Sequence, residues 1–354
     1  MKDRFTIGAL VGAAVFALAP FASIAQDKAT LATATAPSFV PSRAAVDFGW
    51  FKAEGLDLDI KMVTGGNDAI QALAGGSVEF GESSHAQYLA AAAKNLPIVA
   101  IGLHSYGFLG RMIAAPRHAN LASLADFKGK RIGVQAGTGV YTVFMMALEH
   151  NRLNAADYTI TNIRVNDMPA AMQSDTFDAV MAWDPAAIRI IQSGRGKEVI
   201  SATKFEELAE ITYPFMILTT EKMIRERPQT VQRYLNGFAR AQRFMIGDRK
   251  GAVAVYRKYL PTQVASAVSD AELESQIYGA SRFDRLVPNE RDLNDLKRTA
   301  EFMVRQKTLD KLPNFAASCH STRMTAKGAS AVAALRSGAD SAFSCCARPR
   351  RART

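Results

Sequence analysis

Short apolar runs alternate with helical segments along this sequence, and the alternation occurs in two successive sets. The first set has four predicted strands, at residues 28–35, 56–63, 78–81 and 97–103. The second set has five, at residues 108–114, 131–134, 159–165, 179–182 and 198–201. Helices that separate strands at this spacing are typical of an α/β fold. The sequence therefore predicts two α/β lobes, each with a mixed, largely parallel sheet flanked by helices.

Two extended segments, near residues 106–115 and 213–219, are predicted to join the lobes as a double-strand hinge. After Glu221 the pattern becomes helical, with two apolar stripes at helical spacing. The first stripe contains Val231, Leu235, Phe238 and Met245, and the second contains Leu293, Leu296, Ala300, Met303 and Val304. We expect both stripes to be buried and these helices to pack back on the first lobe. The predicted divisions are a first lobe at 26–106, a second lobe at 107–219 and a return to the first lobe at 220–317.

One short strand is closed by residues that are unusual at a strand end. Residues 179–182 are apolar, and Trp183, Asp184 and Pro185 follow them directly. Proline cannot donate to a sheet ladder, so the strand must end there and a helix can begin with Pro185 at its first position. In open α/β sheets, ligands bind beyond the carboxyl ends of the strands, where helix N-termini point into the crevice. Trp183 and Asp184 are therefore candidate ligand contacts.

The N-terminus matches a secretory signal peptide. Lys2 and Arg4 precede an apolar run from Ile7 to Leu18, and small residues lead up to Ala25. This order of charged, apolar and small-residue regions predicts cleavage after Ala25, and a run of this length is too short to span a bilayer. The alternative is an uncleaved interfacial helix. Residues 1–25 are thus predicted to direct export.

The C-terminal segment 318–354 differs in composition from the rest of the chain. It contains all three cysteines, and it has seven basic residues against one acidic residue, so it supplies most of the formal net charge of +10. A basic end of this kind could bind nucleic acid or an anionic membrane. Its aperiodic mixture of Ser, Ala, Cys and Arg instead favours a disordered or out-of-frame tail. The body has no cysteine, and hence no disulfide framework and no thiolate metal site.

Four segments in a fixed order resemble one family of transport proteins. They are residues 72–81 (ALAGGSVEFG), 96–102 (LPIVAIG), 124–134 (LADFKGKRIGV), and Phe177-Asp178-Ala179 with Trp183-Asp184-Pro185. In combination they resemble the substrate-binding proteins of ABC importers for nitrate, taurine, aliphatic sulfonates and thiamine pyrimidines. The chain departs from the family at Ser174-Asp175, where a glycine commonly precedes the strand. The resemblance implies a type II periplasmic binding protein fold.

The family resemblance also implies a set of ligand-facing loops. By position, these residues are Ser38, Phe39, Ser83, Ser84, His85, Thr138, Gly139, Val140, Trp183, Asp184 and Tyr213. Ser84 and Thr138 open helices, so their hydroxyls and the nearby N–H groups could hold an acidic or carbonyl group. The aromatic residues offer apolar faces to an organic body, and Asp184 could accept a hydrogen bond from an amine. No Arg or Lys occurs in these loops, which favours an organic ligand over a small inorganic anion.

Each of these residues also has a structural explanation. Trp183 could fill the core, and Asp184 could cap the helix that follows it. Ser83, Ser84 and Thr138 could act only as helix caps, and His85 could be a loop histidine with its hydrogen bonds satisfied. The choice between a ligand contact and a structural role stays open for all of them at this point.

The same residues could suggest several other functions. A triad of Ser83, His85 and Asp184 lacks a Gly-x-Ser-x-Gly elbow, and Gly133, Gly137 and Gly139 do not have dinucleotide-binding spacing. The five histidines form no paired metal-binding spacing. The resemblance extends to a pyrimidine-precursor synthase that uses a cysteine-rich iron site, which the cysteine-free body and the export signal disfavour. A sensor-linked binding protein remains an alternative to a transport protein.

The sequence therefore predicts a periplasmic receptor with no enzymatic activity, no cofactor and no bound metal. The expected ligand is a small organic solute, either sulfonate- or taurine-like or pyrimidine-like, bound between the two lobes. The expected partners are a permease of an ABC importer and its ATPase. The chain is expected to be a monomer that binds no nucleic acid and meets the membrane only through the permease.

Overall fold

A computed structural model describes residues 26–313 of the chain. The predicted signal peptide (1–25) and the predicted tail (318–354) lie outside these residues. The first of two five-stranded sheets has the order β2-β1-β3-β10-β4. Its strands are β1 (Asp27–Thr33), β2 (Leu56–Met62), β3 (Phe80–Ser84), β4 (Ile98–Tyr106) and β10 (Pro214–Thr220). β1 runs parallel to β2 and β3, whereas β10 is antiparallel to both of its neighbours.

The second sheet has the order β7-β6-β8-β5-β9 and repeats the same plan. Its strands are β5 (Arg111–Ala114), β6 (Arg131–Val134), β7 (Thr159–Asn162), β8 (Ala179–Ala182) and β9 (Lys197–Ile200). β6 is parallel to β7 and β8, and β5 is antiparallel to β8 and β9. β8 has the predicted bounds because Pro185 follows closely, although the next helix begins at Ala186 rather than at Pro185. Two mixed sheets, each largely parallel, confirm the predicted fold class.

Helices cover both sheets. Those of the first part are α1 (Val40–Asp47), α2 (Trp50–Ala53), α3 (Gly66–Ala74) and α4 (His85–Ala93). Those of the second part are α5 (Gly139–His150), α6 (Met168–Gln173), α7 (Ala186–Gln192) and α8 (Ala202–Ala209). The C-terminal helices are α9 (Glu221–Glu226), α10 (Pro228–Gly247), α11 (Arg249–Tyr259), α12 (Thr262–Ala267), α13 (Asp270–Ala280) and α14 (Glu290–Arg305). Helices α10 and α11 pack on α1 of the first lobe, whereas α14 packs on both α4 and α5 and therefore contacts both lobes.

The chain crosses between the sheets twice, and the two crossings lie side by side. The first runs from β4 to β5 and the second from α8 to β10, and the Gly107 N–H donates to the Tyr213 carbonyl over 3.0 Å. A third segment lies beside the first crossing, because Arg282 forms an antiparallel β-bridge with Tyr106. The predicted second lobe extended to residue 219, but β10 pairs with β3 and β4 of the first sheet. The boundary therefore lies before Pro214.

Two further predictions differ from the structure. The strand predicted at 78–81 is observed at Phe80–Ser84, because Glu82 and the two serines that end the strand are polar yet fully buried. Leu293, predicted to be buried, is 44% exposed. Asp292 and Asp295 are the buried residues in that turn of α14, where the hydroxyl of Thr212 donates to both carboxylates. Both errors arise from polar side chains that occupy positions expected for apolar ones.

Across residues 26–313, none of the helices combines the length and the apolar character needed to cross a membrane.

Candidate functional site

A large cavity opens between the two lobes at the carboxyl ends of the central strands. Its volume is about 930 Å³, and both lobes contribute to its walls. Eight of the eleven predicted site residues line it: Phe39, Ser84, Thr138, Gly139, Val140, Trp183, Asp184 and Tyr213. This volume lies within the range of pockets that bind small organic molecules. The structure therefore brings most of the predicted residues to one place.

Two helix N-termini meet at one end of this cavity. Ser84 caps α4 by accepting the backbone N–H of Gln87, and Gln87 completes a reciprocal capping box. Thr138 caps α5 in the same way by accepting the N–H of Tyr141. The first backbone N–H groups of a helix have no partner within the helix, and the helix dipole makes this end partly positive. The arrangement can hold an acidic group without a charged side chain.

Tyr213 supplies a hydroxyl between these two helix ends. Its side chain is buried, its backbone has a φ of +50°, and its hydroxyl is hydrogen-bonded to Ser84. A Cβ atom placed on Gly139 would lie 1.6 Å from the Tyr213 oxygen, so only glycine permits this approach at the first turn of α5. Burial raises the pKa of the phenol well above its usual value, and the hydroxyl therefore stays neutral. We interpret Tyr213 as a hydrogen-bond donor at the site.

Aromatic rings form one wall of the cavity. Phe215 contacts the ring of Phe39 at 5.7 Å and that of Tyr213 at 5.1 Å, both edge to face. Trp183 adds a half-buried face from the second lobe. Rings of this kind offer large apolar surfaces with little conformational freedom to lose. The cavity thus has a polar end and an apolar wall.

Asp184 is already paired within the protein. Its carboxylate accepts from the guanidinium of Arg111, which also binds Glu198 at 3.0 Å. Burial raises the pKa of Asp184, and the nearby positive charge of Arg111 opposes that rise. Asp184 was predicted either to accept from a ligand amine or to cap the following helix; in the structure it lines the cavity, and its carboxylate accepts from Arg111 and from the backbone N–H of Ile188 in α7. The pairing joins residues 73 positions apart, so nothing in the local sequence indicates it.

Three predicted residues lie outside the cavity lining. Ser38 is fully buried, and Ser83 donates to the side chain of Gln87. His85 is fully buried at the start of α4, where its ring nitrogens contact the Pro214 carbonyl and the Thr299 hydroxyl, each at 3.1 Å. Burial lowers the pKa of His85 to about 4, so its imidazole is neutral at physiological pH. In this structure its role is to join α4, β10 and α14.

The cavity also contains polar residues that the sequence alone did not indicate. They are Thr35, Thr64, Asn67, Asp68, Gln71, Gln87, Gln135, Arg164, Asn166 and Asp167. Arg164 is exposed at the cavity wall, so the site is not free of basic side chains as the loops suggested. The turn Gly65-Gly66-Asn67 at the start of α3 is the sequence feature that could have indicated Asn67 as a site residue.

One of these residues makes a direct hydrogen bond between the lobes. The side-chain amide of Asn67, at the start of α3, donates to the carbonyl of Gly137, just before α5, over 3.1 Å. This contact links the first lobe to the second across the cavity.

We expect Asn67→Ala to weaken ligand binding about threefold to tenfold, as for the loss of one hydrogen bond of about 1 kcal/mol. The loss should appear as faster ligand dissociation, measured by stopped-flow fluorescence of Trp183. Gln71→Ala, one turn further along α3, is the matched control because it also shortens an amide at the cavity. An equal effect of both substitutions would argue against a specific role of Asn67 in closure.

No cluster of His, Cys, Asp and Glu within residues 26–313 has the composition of a metal site.

Most of this chain matches one known protein family. The family described as NMT1/THI5 like matches residues 36–252, which is more than half of the chain. The chain belongs to the NMT1/THI5 like family. The matched region spans β3, α4, α5 and β8, so it includes both helix ends and the aromatic wall.

Relatives of this NMT1/THI5 like protein include binding proteins and synthases. A Brucella abortus (strain 2308) protein named as a binding protein is 27% identical over 224 residues, 63% of this chain and 68% of its own. A 4-amino-5-hydroxymethyl-2-methylpyrimidine phosphate synthase of Candida albicans is 26% identical over 237 residues, 64% and 69% of the two chains. An Escherichia coli (strain K12) protein named for binding aliphatic sulfonates is 22% identical over 244 residues, 64% and 75% of the two chains.

A solved structure has the same fold. The alkanesulfonate-binding protein SsuA from Xanthomonas axonopodis pv. citri, bound to MOPS, superposes with a TM-score of 0.67 at 18% identity. The match covers 82% of this chain and 97% of that one. Together with the family match, this similarity confirms the resemblance to substrate-binding proteins.

Proposed function

We propose that this protein binds one small organic acid between its lobes and delivers it to the permease of an ABC importer. The observation that carries the proposal is the meeting of two capped helix N-termini and a neutral tyrosine hydroxyl at one end of an aromatic-walled cavity. The proposed ligand has a sulfonate or carboxylate group at that end and an apolar body against Phe39, Trp183 and Phe215. The relative named for binding aliphatic sulfonates supports this ligand class.

The polar end can bind an acidic group through hydrogen-bond donors that carry no full charge. Backbone N–H groups at a helix N-terminus stabilise an anion through their orientation and through the helix dipole. The phenol of Tyr213 adds a donor whose raised pKa keeps its proton. An acid can therefore bind at this end of the cavity without direct contact to a cationic side chain.

The proposed mechanism is a shift of population between open and closed states. The ligand contacts Ser84 on the first lobe and Thr138 on the second only when the lobes are close, so it stabilises the closed state by its differential affinity. The two crossings between the sheets, which run side by side in opposite directions at residues 107–110 and 210–213, are the hinge in this proposal. The closed form would be the shape that a permease and its ATPase recognise.

Export to the periplasm is part of the same proposal. It rests on the signal-like N-terminus and on the family resemblance. A sensor protein in place of the permease would use the same site and the same closure. Co-purification with a membrane permease encoded beside this protein would separate the two.

A synthase is the second candidate, because the Candida albicans relative carries that name. The cysteine-free body gives it no iron site of the kind that the resemblance implies. A pyrimidine ligand, however, would fit the aromatic wall. Aminopyrimidines therefore belong among the ligands to be tested.

A thermal-shift panel tests the proposed function. The protein is unfolded and refolded to remove bound ligand and then mixed with taurine, longer sulfonates, nitrate, aminopyrimidines and aromatic carboxylates. A ligand at 100 times its Kd stabilises the folded state by about 2.7 kcal/mol, which should raise the midpoint by several degrees. We expect an organic acid to do so and NAD, the control, not to. A folded protein that responds to no acid would refute the proposed ligand class.

Replacement of Trp183 tests the aromatic wall. We expect Trp183→Ala to weaken binding of the panel's best ligand by at least ~1 kcal/mol, the lower limit for an aromatic anchor. Isothermal calorimetry provides the measurement. Trp50→Ala is the matched control, because Trp50 packs on Phe48 and Phe244 away from the cavity. Unchanged affinity in Trp183→Ala would remove this residue from the site.

A further inference from the structure

A fully buried arginine lies directly behind the cavity wall. Arg43, on α1, has no exposed surface. Its Nε donates to the carbonyl of Phe39 and its Nη2 to the carbonyl of Ala36, each over 3.2 Å. Ala36 and Phe39 both line the cavity. The guanidinium is therefore separated from the cavity by a single turn of chain.

This contact fixes the orientation of that turn. The carbonyls of Ala36 and Phe39 are bound from behind by Arg43, and the carbonyl of Ser38 contacts His104 at 3.1 Å. Carbonyl oxygens carry partial negative charge, so an acid in the cavity would be repelled if they faced it. Arg43 both turns them away and places a positive charge behind the wall.

No carboxylate of the described residues forms an ion pair with Arg43, and its Nη1 has no hydrogen-bond partner among them. The rings of Tyr259 and Tyr256 lie 4.9 and 5.8 Å from its guanidinium carbon. Asp47, on the same helix, is instead paired with Lys258 and Tyr259. The positive charge of Arg43 is therefore only weakly compensated.

Glu82, at the centre of β3, is a second buried ionisable side chain near this turn, and Ser42 contacts both its carboxylate and the carbonyl of Phe39. Its Oε2 accepts from Thr33 over 2.5 Å and from Ser42 over 3.1 Å, while Oε1 has no partner among the described residues. Burial raises the pKa of Glu82 to about 7, a rise that the hydroxyls and Arg43 oppose. The carboxyl is thus neutral at pH 6 and charged at pH 8.

The other groups around the pair do not titrate between these pH values. Tyr234 on α10 faces Glu82, and burial raises its pKa well above 10. Tyr256 on α11 has a pKa raised in the same way, and burial raises that of Tyr259 to about 12. His104 on β4 is neutral throughout because burial lowers its pKa to about 3. Glu82 is the group that changes charge.

We propose that the buried charges of Arg43 and Glu82, which are not in direct contact, together determine affinity for an acidic ligand from behind the cavity wall and make that affinity depend on pH. This inference rests on the proposed function, because it concerns the same cavity. Arg43 acts through the turn at residues 36–39 and does not touch the ligand. When Glu82 is neutral, the field of Arg43 favours an anion. When Glu82 is ionised, its negative charge offsets the charge of Arg43 and the anion is held less tightly.

The test compares an acid with a neutral analogue of the same shape. Hexanesulfonate and hexanesulfonamide are titrated into the protein by calorimetry from pH 6 to pH 8, a range in which the sulfonate stays charged. We expect sulfonate affinity to fall about fivefold to tenfold, the size of a charge interaction across about 10 Å of protein. Sulfonamide affinity should stay constant. In Glu82→Gln, which cannot ionise, the sulfonate profile should become flat.

The Arg43→Gln variant should weaken sulfonate binding about tenfold at pH 6 and leave sulfonamide binding within twofold. A variant that was merely misfolded would lose both ligands together. Arg233→Gln is the matched control, because Arg233 is also on the first lobe but pairs with Asp27 away from the cavity. Equal losses for both ligands in Arg43→Gln, or a pH dependence that survives in Glu82→Gln, would overturn the proposal.

A measurement on the ligand-free protein separates this inference from the proposed function. If none of the acids binds, the proposed function fails, and the carboxyl carbon of Glu82 is then titrated by NMR. A midpoint near pH 7 that rises further in Arg43→Gln would support the interaction between the two charges. A midpoint near 4.5 in both proteins would overturn it.

Discussion

A Gly107→Ala variant is expected to lose about 3 kcal/mol or more of folding free energy, close to the largest effect that one methyl group can have. Gly107 lies in the first crossing between the sheets with a φ of +126°, a conformation that L side chains rarely adopt. A Cβ atom there would lie 1.7 Å from the carbonyl oxygen of Ala280. Because that oxygen belongs to the backbone, no side-chain rotation can relieve the clash.

The control is a second glycine that also has a positive φ but faces open space. Gly129 has a φ of +74°, and no atom lies within 4 Å of the position that an added methyl group would take. We expect Gly129→Ala to lose about 1 kcal/mol of folding free energy, which is the cost of a positive φ for alanine without any clash. Urea unfolding of both variants gives the difference. Similar losses in the two variants would show that the contact with Ala280 is unimportant.

A Gly139→Ala variant should lose most of its ligand binding, about 30-fold or more, as for loss of about 2 kcal/mol at a central contact. The added methyl would meet the hydroxyl of Tyr213 and would lie 2.9 Å from the hydroxyl of Ser84. Tyr213 would have to leave the space between the helix ends. Some stability should be lost as well, because Tyr213 is packed against Phe108 and Phe215 and would have to move, so urea unfolding is measured beside binding.

Calorimetry of a double-mutant cycle with Tyr213→Phe checks this explanation. Removing the hydroxyl relieves the closest contact, so the two substitutions together should lose less affinity than the sum of the single losses. Gly247→Ala, at the end of α10 and with no atom within 4 Å of its added methyl, is the control. Strict additivity would mean that Gly139 acts on binding independently of Tyr213.

The sequence was most informative where an element is set by local chemistry. β8 could be predicted to the residue, because its apolar run is closed by Pro185 within three positions. The N-caps of α4 and α5 were also predictable, since Ser84 and Thr138 are good capping residues at the start of long helices. These two features place most of the proposed site, and both depend on neighbours in sequence.

The parts that could not be predicted depend on residues far apart in the chain. Glu82 falls just outside the strand predicted at 78–81, but it is buried within β3, where Thr33 and Ser42 hydrogen-bond to one of its oxygens. Asp184 was predicted to contact the ligand or to cap the next helix, and its partner Arg111 lies on β5, the strand paired with β8. A single sequence carries no record of such pairings, so the partners of these buried side chains could not be predicted.

The position of β10 has a consequence for how the chain folds as it is made. β3 and β4 are not paired with each other, because β10 lies between them and bonds to both. The second sheet, by contrast, is built from one continuous stretch between residues 111 and 200. Since domains generally fold as units during synthesis, the second lobe can complete itself first. The sheet of the first lobe stays incomplete, with unpaired edges on β3 and β4, until residue 220 has been made.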